Sequence, residues 1–462
     1  MRANRDTIFV VTLILALIAS TGAALTAWAS AGSRETVQVN GGGSFGSGLT
    51  TTVSTNGTPS SGSSAGSGGS SYNGGGAGGS NGGSSPSSSG GGPVVGKTDT
   101  IKIGGIFTES GGLDSTVEED TVRACFNYYN AQGGINGHKL SLVSYDDGLS
   151  GTNAQNEAVK LDTSDHVFAI VGWLAPFGES PAATYFEQHG IPIIGGLGVP
   201  EEFGNADSFP VSPSFYNAGY LLGQYGAGTL HFKHPGIILT NTSGIQNVTA
   251  GIKDAAAKAG VTINNNDIAY VSFGETNFSK YILPMKSDGV DSLITQIDPY
   301  SYVRLYNAMQ SNSFMVPHLA GAGIDKKSVD DTIGAPLHGV YSFMPYREAQ
   351  GNPDNNAEVS LYLNTLGRYY NSQLQYVDAF SEGSWVACRV FGAALAKVTG
   401  SVTRGALIQA LNSGTYDIGG MATPLNYGAT SGGGKNDANH CVLYITYNSS
   451  SRWQTAQGYT CH

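Results

Sequence analysis

The chain has 462 residues, with 34 acidic against 23 basic side chains and a formal net charge of −11. No basic cluster interrupts that balance, so the positive footprint that nucleic-acid binding requires is missing and nucleic acid is excluded as a partner. Residues 41–92 are almost entirely Gly, Ser, Thr and Asn and carry no charge; such a stretch cannot bury enough apolar surface to offset its ordering entropy.

In chain order, Arg2 and Arg5 precede an apolar run from Ile8 to Trp28. Its length lies between a secretory signal and a single membrane anchor, and the basic start directs the downstream chain outward. Residues 1–31 are therefore read as a signal peptide or N-terminal membrane anchor, the latter a contact with the membrane. Residues 32–96 are read as a disordered Gly/Ser-rich tether with a reach of roughly 40 Å. That leaves 97–462 for a two-lobed ligand-binding domain. Its expected place is extracytoplasmic, at the cell surface or in a periplasm.

Strand patterns then alternate with helical ones. The strands are Ile101–Phe107, Leu140–Tyr145, Val167–Val171, Ile191–Ile194, Gly236–Leu239, Ile268–Val271, Ser292–Thr295 and Gly339–Ser342. The helices are Val117–Asn130, Thr152–Thr163, Pro181–Gln188, Asn217–Leu230, Val248–Ala259, Phe278–Ser287, Ser301–Asn312, Asn356–Tyr370, Ser381–Val398 and Thr403–Asn412. This alternation predicts an α/β fold of two doubly wound, Rossmann-like lobes. Between the first helix and second strand, Gly133-Gly134 offers the left-handed geometry that ends a helix, and Asn136-Gly137 is a turn signal.

The run Asn130-Ala131-Gln132-Gly133-Gly134-Ile135-Asn136-Gly137, followed by a strand into Asp146-Asp147, resembles the leucine/isoleucine/valine-binding type of periplasmic binding protein. That family supplies receptor components of ABC importers. The similarity continues through Val167–Gly172 and Gly190–Ile194. It implies a three-segment hinge, with lobe one at about 97–214 and 343–422 and lobe two at about 215–342 and 423–462. Crossings would fall near Ser212-Pro213, Ser342-Phe343 and Thr423-Pro424. It also implies a small-molecule ligand, whether amino acid, amide or another organic molecule, ABC permease subunits as partners, and no cofactor. A tethered ligand-sensing module acting on a separate signalling partner is the alternative.

In facing α/β lobes, ligands sit beyond the carboxyl ends of the strands. The loops there nominate Thr108 and Glu109, then Trp173, Phe177, Glu179 and Ser180, then Gly198 and Val199. From the second lobe come Ser243, Asp298, Tyr300, Tyr302 and Asp325. Thr108-Glu109 also reads as a helix cap, the two aromatics as packing beneath their loop, and Asp298-Pro299 as a helix start. The amino-acid binders hold their ligand with Ser and Thr groups in lobe one and an acid in lobe two. The matching positions here are Pro176 or Phe177, Val199 and Ala322, which lack those groups. Either Glu179, Ser180 and Asp325 take over, or the ligand is not an α-amino acid.

Four cysteines in an exported chain suggest disulfides. Cys441 and Cys461 flank a terminal hairpin and are expected to pair. By the resemblance Cys125 and Cys388 share lobe one, where they form either a second bridge or two separate buried thiols. No metal spacing, nucleophile elbow or H-E-x-x-H pattern marks an enzyme.

Overall fold

The computed structural model describes residues 95–97, 99–428, 438–448 and 452–462. The apolar N-terminal segment and the Gly/Ser tether lie outside them. Among the described residues no helix is long and apolar enough to cross a membrane.

The first sheet is parallel and holds β1 (Ile101–Phe107), β2 (Leu140–Asp146), β3 (Ile170–Val171), β4 (Ile193–Ile194) and β5 (Ser208–Phe209), in the order β2-β1-β3-β4-β5. Four helices interleave: α1 (Thr116–Ala131), α2 (Gly151–Thr163), α3 (Glu179–Gln188) and the short α4 (Pro200–Gly204). The glycine turn after α1 behaves as its sequence requires. Gly133 and Gly134 have φ of 104° and 91°, and a Cβ on Gly134 would lie 2.1 Å from the His138 carbonyl oxygen.

α5 (Phe215–Gln224) opens the second lobe and passes into a glycine-containing π-helical turn at Tyr225–Thr229, in place of the straight helix expected to Leu230. The strands β6 (Pro235–Thr240), β7 (Ile268–Val271), β8 (Ser292–Gln296), β9 (His318–Ala320) and β10 (Tyr341–Met344) come next. They alternate with α6 (Ile245–Lys258), α7 (Ser279–Asp288), α8 (Pro299–Ser311) and α9 (Lys327–Ile333). The chain then returns to the first lobe as α10 (Ala357–Tyr369), α11 (Ala379–Lys397), α12 (Arg404–Asn412) and the small ladder of β11 (Thr415–Tyr416) with β12 (Leu425–Asn426). A terminal hairpin of β13 (Cys441–Asn448) and β14 (Arg452–Cys461) closes the second sheet, ordered β14-β13-β10-β9-β8-β6-β7.

Each sheet has its own core. Around the first, residues such as Ile103, Phe107, Phe126, Phe209, Trp385 and Phe391 are wholly or almost wholly buried; around the second, Ile237, Leu293, Leu319, Leu443 and Trp453 are. The sheet pairings and the cores follow the chain through two of the crossings. Ser342-Phe343 lies inside β10, whose pairing with β13 runs through Met344, because Phe343 and Met344 both fill the second core. Leu425, Tyr427 and Ala438 are still buried in the first core, so the chain does not join the second sheet until Cys441, well beyond Thr423-Pro424. The three crossings are tied together. Asn439 Nδ2 donates to the Val211 carbonyl at 2.6 Å, and the hydroxyls of Ser212 and Tyr346 are 3.0 Å apart.

Both disulfides form. Cys125 of α1 joins Cys388 of α11, and Cys441 joins Cys461 across the hairpin.

Candidate functional site

The carboxyl ends of the two sheets face each other across a cleft. From the first lobe, Gly172-Trp173-Leu174 after β3 and Gly196-Leu197 after β4 form one wall. From the second, Thr240 and Thr242 at the end of β6, Phe273 after β7, Gln296–Pro299 at the end of β8 and Ala322 after β9 form the other. The floor comes from the crossings and from α11: Ser212, Pro213, Phe343, Pro345, Tyr346, Ala379, Phe380, Gly383 and Ser384. Aromatic and aliphatic walls with few polar groups are the usual make-up of a small-molecule site.

Of the residues nominated from sequence, Trp173 and Asp298 line the cleft. Trp173 is buried edge-on against Phe186, and its Nε1–H has no hydrogen-bond partner. Asp298 is committed to structure. Its Oδ1 accepts from the Ser301 amide at 2.9 Å, capping α8, and its Oδ2 accepts from the Gly274 amide at 3.1 Å.

The remaining nominees sit elsewhere. The Thr108 hydroxyl donates to Asp147 at 2.7 Å, joining the ends of β1 and β2. Glu109 lies beside Glu119 and Asp146, and its pKa is pushed up to about 8 by burial and then by those carboxylates. Phe177 meets Phe273 edge-to-face with centroids 6.4 Å apart, so the two lobes touch there. Glu179 is fully buried under its loop, accepting from the amides of Ala175 and Leu197, with its pKa raised to about 8 chiefly by burial. Ser180 donates to Glu201 at 2.7 Å, and Gly198 donates its amide to Glu202 at 2.8 Å. Val199 is the buried residue before α4. Ser243 and Tyr300 are exposed, whereas Tyr302 is buried in the core beside His318. Asp325 is buried and accepts from the amides of Gly323 and Ala379. Pro176 and Ala322 line the cleft; Val199 does not.

Sequence reasoning passed over the charged groups that the fold brings here. Glu118, in the first turn of α1, lines the cleft with both carboxyl oxygens buried and without a hydrogen-bond partner. Burial, and then the neighbouring Asp378, push its pKa well above the ordinary carboxylate range, which keeps it neutral. Lys326 reaches in from the second lobe, its Nζ 2.9 Å from Oδ2 of Asp378, the residue that caps α11. Burial opposes charge on that ammonium, but the Asp378 carboxylate outweighs it and holds the proton more firmly than usual. Two buried polar atoms from the second lobe, Thr240 Oγ1 and Gln296 Oε1, also lack partners. In sequence, Glu118 looks like an ordinary acid favouring a helix start, and Lys326 like a loop lysine.

A family model described as periplasmic binding protein matches residues 100–451. The leucine-specific-binding protein of Salmonella typhimurium is 23% identical over 269 residues, spanning 56% of this chain and 71% of that protein. Two solved structures share the fold. The fatty acid ABC transporter substrate-binding protein from Thermomonospora curvata has a TM-score of 0.69 at 16% identity, covering 80% of this chain and 94% of that one. The branched-chain amino acid transporter substrate-binding protein from Streptococcus pneumoniae, in complex with isoleucine, has a TM-score of 0.64 at 17% identity, covering 78% and 100%.

Proposed function

Because this chain belongs to the periplasmic binding protein family, whose members bind rather than transform their ligands, we propose that it captures a largely apolar small molecule between its lobes and delivers it to an ABC importer. Hinge closure around the ligand, with contacts to both lobes, is the mechanism. One observation carries the choice of ligand: the cleft has no free charge for an α-amino acid. Among the described residues its charged lining is Glu118, Asp298 and Lys326. The first is neutral through burial, the second is a helix cap, and the third is paired with Asp378. A buried ammonium and carboxylate left unpaired would each cost several kcal/mol, at roughly the scale of a broken buried ion pair. An apolar body against Trp173, Phe215, Phe273, Tyr346 and Phe380 needs no such partners. Thr240, Gln296, the Trp173 indole and Glu118 then offer hydrogen bonds to one or two polar groups. Mass spectrometry of small molecules released from natively purified protein tests this. An apolar acid, amide or alcohol supports it; an aliphatic amino acid in the eluate refutes it.

A further inference from the structure

Away from the cleft lining, three carboxylates meet where the lobes join. Asp325 follows β9 of the second lobe, Glu348 lies in the crossing between lobes after β10, and Glu382 is in the first turn of α11 in the first. Their relative exposures are 0%, 1% and 0%, and one oxygen from each lies within 4.8 Å of the other two. Three buried anions so close would repel strongly, and each bears a large desolvation cost.

Hydrogen bonding satisfies only part of this cluster. Glu348 Oε1 accepts from the Gln350 amide at 2.6 Å, and Glu382 Oε1 from the Ala349 amide at 2.5 Å. Their Oε2 atoms are buried with no partner. Neighbouring cations are already engaged: Lys326 with Asp378, and Arg347 with Asp354. Buried carboxylate oxygens without donors are costly and call for a ligand.

We propose that Asp325, Glu348 and Glu382 hold a calcium ion that ties the two lobes at their joint. The donor set is all oxygen, with no His or Cys, as a hard cation prefers. Three oxygens no more than 4.8 Å apart leave a central point within about 2.8 Å of each, close to the Ca–O range and reached by small side-chain shifts. Magnesium fits less well, because it retains several waters and the site is closed. The consequence reaches the cleft, since the α11 turn carrying Glu382 also presents Phe380, Gly383 and Ser384 to it. Calcium binding at the joint does not depend on which ligand the cleft takes.

The test is elemental analysis of the full chain purified without chelator, followed by thermal unfolding at pH 7 in calcium and in EGTA. About one calcium per chain is expected, with a melting temperature higher in calcium by roughly 5 °C or more. Glu348→Gln and Glu382→Gln, made separately, should abolish that difference while either folded variant keeps its disulfides. A melting temperature that ignores both calcium and chelator in the unaltered protein overturns the proposal, even if the variants fail to fold. Such a result, joined to increasing stability as pH falls, would show the carboxyls sharing protons instead.

Discussion

Breaking the Cys125–Cys388 bridge should cost more stability than breaking Cys441–Cys461, and should also loosen the cleft. The first bridge spans 263 positions and the second 20. Loop-closure entropy rises with the logarithm of the closed length. It stands at about 5.5 kcal/mol for the long loop and about 3.3 kcal/mol for the short one, before any native-state relaxation. The functional link is geometric. Cys125 is on α1, whose first turn presents Glu118, and Cys388 is on α11, whose first turns present Phe380 to Ser384. Urea denaturation of Cys125→Ala/Cys388→Ala and of Cys441→Ala/Cys461→Ala, against the unaltered protein, gives both losses. The first pair should lose about 2 kcal/mol more, since both its sulfurs are also fully buried and leave a small cavity. Its ligand affinity should fall as well. Equal losses, or a smaller one for the long loop, would refute the entropic reasoning. An unchanged affinity would refute the coupling to the cleft.

Phe177→Ala removes the edge-to-face contact with Phe273 that joins the lobes; ligand release by stopped flow should quicken about three- to tenfold, consistent with about 0.5–1.5 kcal/mol per aromatic pair. Glu118→Gln concerns a carboxyl whose pKa is raised in the folded state by burial. Its stabilising effect is complete below the unfolded carboxyl value and fades as pH rises toward the folded one. Stability of the unaltered protein should therefore decline above about pH 4.5, by up to about 1.4 kcal/mol per pH unit from this group, and pH-resolved denaturation should show a shallower decline in the variant. Gly134→Ala forces a side chain into left-handed backbone and into the His138 carbonyl; chemical denaturation should register a loss of about 2–4 kcal/mol.

Much of the architecture was legible because its signals are local. The buried run Ile101–Phe107 and the glycine turn after α1 each act through neighbouring residues, and the elements appear within a few positions of expectation. The very short strands and helices, such as β5, β11, β12, α4 and α9, were not legible. Two to seven residues carry too little periodicity to distinguish them from loops. Loop position after a strand was enough to nominate Trp173 and Asp298 but not to decide where a side chain points. Glu179 and Tyr302 turned inward, and Asp298 spent both oxygens on backbone amides.

By itself, then, the sequence determined the alternating α/β pattern, the glycine turn and the set of cysteines available to pair. Only the tertiary structure decided which groups share an environment. Glu118 and Lys326 are remote in sequence, yet both reach Asp378; Asp325, Glu348 and Glu382 come from three segments to one buried point. Periodicity and turn chemistry are properties of adjacent residues, whereas the electrostatics of a cleft or a joint depend on which distant segments the packed lobes bring within a few ångströms.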